Sequence, residues 1–552
     1  MPLIDQPDSP DLRAFSNSIA GGAVDAAAPH LLSPTQAQYL LNTPILIDGS
    51  RQKRRGVVPR GPNQSTFDRL PHGVFTLDNG EYRKLVVRLG NQLWVNTDSE
   101  LFWTRRGCTV SLCDLPYMAV QGVGSASTTN MDMLFMCGCA SMDPTNNTYC
   151  NPAYFTATGE TLYTSIYSLR AATFYQRRGW GVDDSNLYWS ELNRIEGLGN
   201  PGTTPGFGQI KVGSTGYDFN MAVTPTRDVT PQLLIWRANS VWLLDIYWQT
   251  DGYYAQTVAA GTMDFTKALL RPIILETGLC ATRAVTWTPG GRAGDFIFLS
   301  KEGLRSLQRS LNDSQAGSSL PLSWRIQKVI DRINWDMCHL ASMAFHDGVV
   351  YTSVPVDGAT QNNFTIAYDL VRDAFWYSSW PAENFTKVKW TTGGHQFYFQ
   401  STSSGTETLA GIARDGFHIY RTDTGPYDLF RQPVRQLEET RGFTFDRDDT
   451  PGSGLDYKKR WNYLEMSLEG AGSGSGVTHA IGYKLDHAAT FTNLAYTYVA
   501  GTETGLIYRR FDLSRVRPGY TLELSFEDTS SYDRTIVRSY EVKAFPLNQT
   551  FS

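Results

Sequence analysis

At 552 residues the chain is long enough for more than one domain, and 12% aromatic residues, 19% charged residues, 49 Gly and 26 Pro mark it as turn-rich and all-β, with Trp, Tyr and Phe filling the space between sheets. A formal net charge of -5 excludes a protein that holds nucleic acid by overall basicity and leaves room only for a local basic lining. No apolar run approaches the ~20 residues of a membrane-spanning helix, and the opening MPLIDQPDSPDLRAF lacks the basic-then-apolar order of a secretory signal.

Residues 1–40 are rich in Pro, Ala, Asp and Ser, which predicts an extended N-terminal arm that orders against a partner. Within it, 34–41 (PTQAQYLL) predicts a short helix. The run RQKRRGVVPR follows, with Arg51, Lys53, Arg54, Arg55 and Arg60 as candidates for contact with DNA phosphates or a protein partner, or as a solvated basic loop. The first clear strands lie between Val74 and Phe135. Residues 143–160 form a long polar loop that reads as an insertion. The glycines Gly197, Gly199 and Gly202 have dinucleotide-fingerprint spacing, but Pro201 and Pro205 oppose the helix that the fingerprint requires. Residues 217–310 alternate strands and turns. The best helical pattern is 322–333 (LSWRIQKVIDRI), where Ile326, Val329, Ile330 and Ile333 share one face.

The stretch NNFTIAYDLVRDAFWYSSW (362–380) carries two β-runs, 364–368 and 375–380, around an acidic turn. A lone hairpin cannot bury its aromatic face, so similar sheets must stack on it. Looser versions recur at 92–105, 186–193, 231–245, 294–308, 347–355 and 396–425, at irregular spacings of roughly 40–60 residues, near propeller blade periods. They predict an irregular β-propeller of about six blades over 41–424. A polar linker at 425–457 leads to a smaller β-sandwich at 458–552, read as about seven strands, with Tyr520, Leu522, Leu524 and Phe526 on one face.

No constellation for catalysis stands out. Phosphate loops, His pairs at ligand spacing and a G-x-S-x-G elbow are missing from the sequence. The seven Cys fit no common zinc spacing; Cys137, Cys139 and Cys150 could hold a metal, but buried thiols are the simpler reading. His339 lies in an apolar run and reads as a core residue. Asp183 and Asp184 could pair with Glu191 as the acid and base of a glycosidase, or simply form a solvated turn. These features predict no enzyme, no cofactor and no metal.

In order of features the chain resembles the tail hub or nozzle proteins of short-tailed bacteriophages, also described as stabilisation or head-completion proteins. The resemblance rests on 42–60 (NTPILIDGSRQKRRGVVPR), LYWS at 187–190, the paired runs 233–244 and 296–307, 349–355 followed by 364–380, and Lys459-Arg460 with 508–513 and Arg517-Pro518-Gly519. It implies a virion structural protein, made in the host cytoplasm and placed in the tail. Its partners would be further copies in a homo-oligomeric ring, commonly a hexamer, then the portal and adaptor ring proteins, and tail fibres or tailspikes. Viral DNA would pass through without sequence-specific contact. The alternative is a propeller glycosidase or glycan-binding module acting on a cell-surface polysaccharide.

Overall fold

The computed structural model describes residues 12–16, 20–60, 73–78, 83–89, 92–96, 103–107, 118–124, 131–137, 153–155, 160–162, 169–192, 195–198, 208–213, 217–226, 232–245, 269–289, 294–316, 320–389, 395–409, 412–422, 428–429, 432, 434–444, 458–471, 477–500, 505–529 and 534–547. These are nearly all strand and turn, arranged as several small antiparallel sheets.

Among the described residues seven antiparallel units follow one another. The first comprises Gly73–Asp78, Arg83–Leu89, Gln92–Asn96 and Trp103–Gly107. The second comprises Met118–Gly124, Met131–Cys137, Ala153–Phe155 and Glu160–Leu162. The third holds Ala171–Tyr175, Arg178–Val182, Asn186–Leu192 and Gly208–Lys211, and the fourth Asn220–Pro225, Gln232–Arg237, Ser240–Asp245 and Leu269–Leu275. The fifth has three strands, Val285–Thr288, Asp295–Ser300 and Gly303–Ser306. The sixth runs through Ser342–His346, Val349–Val354, Phe364–Asp369 and Ala374–Ser378, and the seventh through Ala382–Lys389, His395–Leu409 and Ile412–Thr422. The sequence pattern counted about six such units, because the weakest repeats give no readable period.

Neighbouring units meet through their first strands. Gly73–Asp78 packs on Met118–Gly124, that strand on Ala171–Tyr175, and the latter on Asn220–Pro225. Trp236 of the fourth unit lies 5.8 Å from Phe296 and 5.0 Å from Phe298 of the fifth. Val285–Thr288 then packs on Ser342–His346, Ser342–His346 on Ala382–Lys389, and Ala382–Lys389 on Gly73–Asp78. Thr76 and Thr386 hydroxyls, 2.9 Å apart, and the Asn384 amide on the Val74 carbonyl at 3.0 Å join the last unit to the first. The circuit of contacts is closed, and Val57–Pro59 pairs with the outer strand of the seventh unit, fastening an N-terminal segment onto it.

The expected hairpin is present. Phe364–Asp369 pairs with Ala374–Ser378, and the Asp369 carboxylate accepts the amides of Val371 and Arg372 at 2.9 and 3.1 Å, which bends the chain. Asp373 completes the turn at φ 51, a conformation Asp tolerates. Its aromatic face is buried against the seventh unit: Trp380 stacks on Phe399 at 5.4 Å, and Tyr351 lies 5.5 Å from Trp380 and 5.3 Å from Phe397. Such ring pairs add to area burial through their quadrupoles.

The described residues of 1–40, expected to form an extended arm, are instead built into the sheets, and so are those that follow up to residue 60. Leu12–Ser16 pairs with the C-terminal strand Arg534–Pro546, and Arg51–Gln52 joins the same strand. Gln36–Leu41, where the sequence predicts a helix, is a strand between Ala374–Ser378 and Gln436–Thr440. Ala37 and Leu40 are fully buried there, and cross-strand pairing outweighs the weak helical preference of QAQYLL. Gln436–Thr440 falls in the stretch expected to be a linker; it sits inside a sheet, between Gln36–Leu41 and Leu522–Asp528. Thus one sheet continues from the sixth unit into the C-terminal region.

That region has two facing sheets. One orders Leu12–Ser16, Arg534–Pro546, Lys459–Ala471 and Gly505–Asp512; the other continues from Leu522–Asp528 to Val477–Leu485 and Thr492–Ala500. Tyr540 from the first meets Phe526 at 5.5 Å and Phe443 at 5.9 Å. Leu522, Leu524 and Phe526 are buried as their alternation predicts, but Tyr520, expected on the same face, is exposed. Among the described residues the expected seven or so strands are six, because RTIVRSY and VKAFPL form one continuous strand.

The helical stretch 322–333 buries Ile326, Val329, Ile330 and Ile333 as expected but is divided into a 3-10 turn, Leu322–Ile326, and a short helix, Gln327–Asp331. The Asp25 carboxylate accepts the amides of Lys328 and Val329 at 2.9 and 3.1 Å, capping the helix at that later point. A further helix, Leu307–Ala316, was not expected; the Ser306 hydroxyl caps it by accepting the Arg309 amide at 3.0 Å. Among the described residues no helix is long and apolar enough to cross a membrane.

Candidate functional site

The basic segment comes first, since the sequence singled it out. Arg51 is fully buried and donates from Nη1 to Glu438 Oε1 at 3.2 Å, with its guanidinium 4.9 Å from the Tyr540 ring centre. Lys53 Nζ donates to Asp528 Oδ1 at 3.1 Å. Arg54 donates to Asp428 Oδ2 at 2.5 Å, to the Ser379 hydroxyl at 2.9 Å and to Asn42 Oδ1 at 2.7 Å, and lies over Trp380 at 5.0 Å. Burial pushes the Glu438 carboxyl up, with Arg51 pulling it back, and pushes the Lys53 ammonium down, with Asp528 opposing. Three of the five predicted contact residues are therefore internal clamps. A buried cation already matched by a carboxylate cannot also neutralise a phosphate without breaking that pair. Arg55 is exposed and Arg60 half-buried, so an outward contact from this run falls to them.

The fold gathers a second charged group that no local pattern announces. Arg170 precedes the first strand of the third unit, Arg283 that of the fifth, and His339 that of the sixth, while Glu383 lies in the first strand of the seventh. Arg283 Nη2 donates to Glu383 Oε1 at 2.8 Å, and both side chains are buried. A register shift between Ala382 and Asn384 re-aims Glu383 out of the regular alternation. Arg170 pairs with Asp184 at 2.5 Å and covers the Phe219 ring at 4.8 Å. Burial pushes His339 down, with the field of Glu383 opposing this and those of Arg283 and Arg170 reinforcing it. Four units thus send charge to one place where their first strands begin. Sequence reasoning assigned His339 to the apolar core; it is half-buried on the 3-10 turn Trp335–Leu340 beside these charges.

Chemically the cluster is balanced. Glu383 is bridged to one guanidinium and Asp184 to another, which differs from the pair of working carboxylates that glycoside hydrolysis needs. Asp183 is a turn-former: it accepts the Ser185 amide at 2.8 Å, the Asn186 amide at 2.6 Å and the Tyr188 hydroxyl at 2.5 Å. Cys137, Cys280 and Cys338 are buried free thiols, while Cys139 and Cys150 lie outside the described residues. So do Gly199 and Gly202 of the glycine run and residues 143–152 of the expected insertion. Among the described residues no three His, Cys, Asp or Glu come together as a metal site.

No protein-family model matches the chain, and no curated protein matches it. Solved structures resemble it distantly. The CNH domain of AfRom2 is 8% identical, covers 66% of this chain and 98% of its own, and gives a TM-score of 0.32. An exo-beta-1,3-galactanase from Phanerochaete chrysosporium is 8% identical over 88% of this chain and 100% of its own, with a TM-score of 0.26. A fructofuranosidase from Schwanniomyces occidentalis is 7% identical over 89% and 98%, with a TM-score of 0.25. Superpositions this loose assign neither fold nor activity to this chain.

Proposed function

We propose that the chain works by shape and contact: a seven-bladed propeller, closed by Val57–Pro59 and sewn to a β-sandwich, that assembles as a ring in the tail of a short-tailed phage. The carrying observation is the path of the described residues between 12 and 60. They place strands in both C-terminal sheets and in the last propeller unit, and pin the crossings with Arg51–Glu438, Lys53–Asp528 and Arg54–Asp428. A hinge between propeller and sandwich would have to break those strands and bare those charges, at several kcal/mol per buried ion. A stiff two-part body suits a nozzle segment, which must hold its form under load. Head-to-tail contacts closing by rotation would make the ring, a hexamer on the phage resemblance, against portal and adaptor proteins above and fibres or spikes outside. DNA in transit is best served by a wall with few free cations, and the clamps remove three from the surface.

Mass photometry of the full chain, with protein analysis of purified phage particles, tests this. A discrete multiple of the 61.6 kDa chain, present in particles, is expected. A monomer at micromolar concentration that is absent from particles overturns it.

A further inference from the structure

Two thiols meet at the junction of the fifth and sixth units. Cys280 lies shortly before Val285–Thr288, and Cys338 on the 3-10 turn Trp335–Leu340 that leads into Ser342–His346. The Cys338 thiol donates to the Cys280 carbonyl at 3.6 Å, and each side chain acts on the protonation of the other. Both are free and buried, at 8% and 5% exposure. Their backbones are pinned. The Cys280 amide donates to the Leu299 carbonyl at 3.0 Å, the Leu279 amide to the Arg237 carbonyl at 2.8 Å, and the Ala341 amide to the Cys338 carbonyl at 2.9 Å. Just beyond, the Met343 amide donates to the Arg283 carbonyl at 2.9 Å, so the two segments run side by side.

The pair is chemically asymmetric. Hydrogen bonding from Cys280 pulls the Cys338 thiol below its ordinary value; burial opposes this and the field of Lys301 assists it. Burial pushes Cys280 well up. A nucleophilic thiol beside a second thiol is the arrangement that turns sulfur oxidation into a crosslink. The location gives such a crosslink an effect. Among the described residues the fifth unit is the one with three strands, the seventh being completed to four by Val57–Pro59. The cysteines stand 58 positions apart and bracket the whole of that short unit with the helical segments behind it.

We propose that Cys280 and Cys338 form a reversible disulfide when the folded chain meets hydrogen peroxide, latching the fifth unit to the sixth. The Cys338 thiolate attacks one peroxide oxygen, the O–O bond breaks, and the departing hydroxide takes up a proton and leaves as water. The sulfur is left as a sulfenic acid. The Cys280 sulfur then displaces the hydroxyl from it, which leaves with the Cys280 proton as a second water. Two thiols have given two electrons and two protons to one peroxide. The closed loop restricts the unfolded chain and so favours the folded unit.

Peroxide treatment of the reduced full chain, followed by peptide mass mapping without reductant, tests the latch. The expected product is a peptide joined through Cys280 and Cys338, with Cys137 of the second unit, also buried, still a thiol. Hydrogen exchange of Asp295–Ser300 and Gly303–Ser306 should slow roughly tenfold or more on oxidation and return with dithiothreitol. In Cys280→Ser, dimedone should trap a sulfenic acid on Cys338, and exchange should not slow. The parent chain alone decides the matter if that variant folds poorly. Both thiols left free by peroxide, oxygen adducts that accumulate on Cys338 without joining, or a joined pair with unchanged exchange overturns the proposal.

Discussion

Replacing Arg51 by methionine deletes the cation that Glu438 faces, in a place where the two side chains are 0% and 1% exposed. Breaking a buried pair from one side costs about 3–5 kcal/mol, because the remaining charge is left without a partner. Loss of the contact with Tyr540 adds up to about 2 kcal/mol. Hydrogen exchange of the strands Gln436–Thr440, Lys459–Ala471 and Arg534–Pro546 reads the effect locally, which suits a chain too long for two-state unfolding. Protection there should fall roughly a hundred- to a hundred-thousand-fold, at about 1.4 kcal/mol per decade. The pH dependence has a definite sign. Burial lifts Glu438 in the folded chain, so its contribution to stability is greatest below the ordinary carboxylate range and is lost as pH rises through the folded value. Without Arg51 nothing pulls the carboxyl back, and the deficit of the variant should be largest near pH 8 and shrink toward pH 5. The double variant Arg51→Met with Glu438→Leu should recover most of the protection, since apolar replacement of both partners costs little. A single variant that loses less than about tenfold, or a double variant as weak as the single, refutes the clamp.

Three further outcomes are expected. Gly22→Ala should destabilise by about 2–4 kcal/mol, seen as a lower urea midpoint, because φ is 68 and a Cβ would stand 2.7 Å from the Phe375 amide nitrogen. Asp25→Ala should cost about 0.5–2 kcal/mol and speed exchange at the Lys328 and Val329 amides more than elsewhere in that helix, since both lose their acceptor. Cys137, its thiol pushed up to about 12 by burial, and Cys280, pushed up likewise, should escape iodoacetamide at pH 8 in the native chain and react in urea, as read by peptide mass mapping.

Much of the β architecture was legible because its signals are local. The Asp369 turn and the Phe364 and Trp376 strands follow from residue types within a dozen positions, and so does the alternation from Leu522 to Phe526. The helical face of Ile326, Val329, Ile330 and Ile333 was legible too, but not its late start, since the capping carboxylate comes from Asp25, some 300 residues away. The Ser306 cap ahead of Leu307 and Leu311 was a readable helix signal that the surrounding strand pattern obscured.

What the amino-acid order determines alone is the class: alternating aromatic and β-branched runs broken by Gly, Pro and Asp can bury their faces only as stacked sheets. What it leaves open is where each charge goes. Arg51, Lys53 and Arg54 look in one dimension like a surface for phosphate, and Arg170, Arg283, His339 and Glu383 look like nothing at all. Only the folded chain turns the first three inward onto Glu438, Asp528 and Asp428 and draws the other four together from separate sheets. Pairing between residues hundreds of positions apart depends on tertiary contact and leaves no periodicity to read.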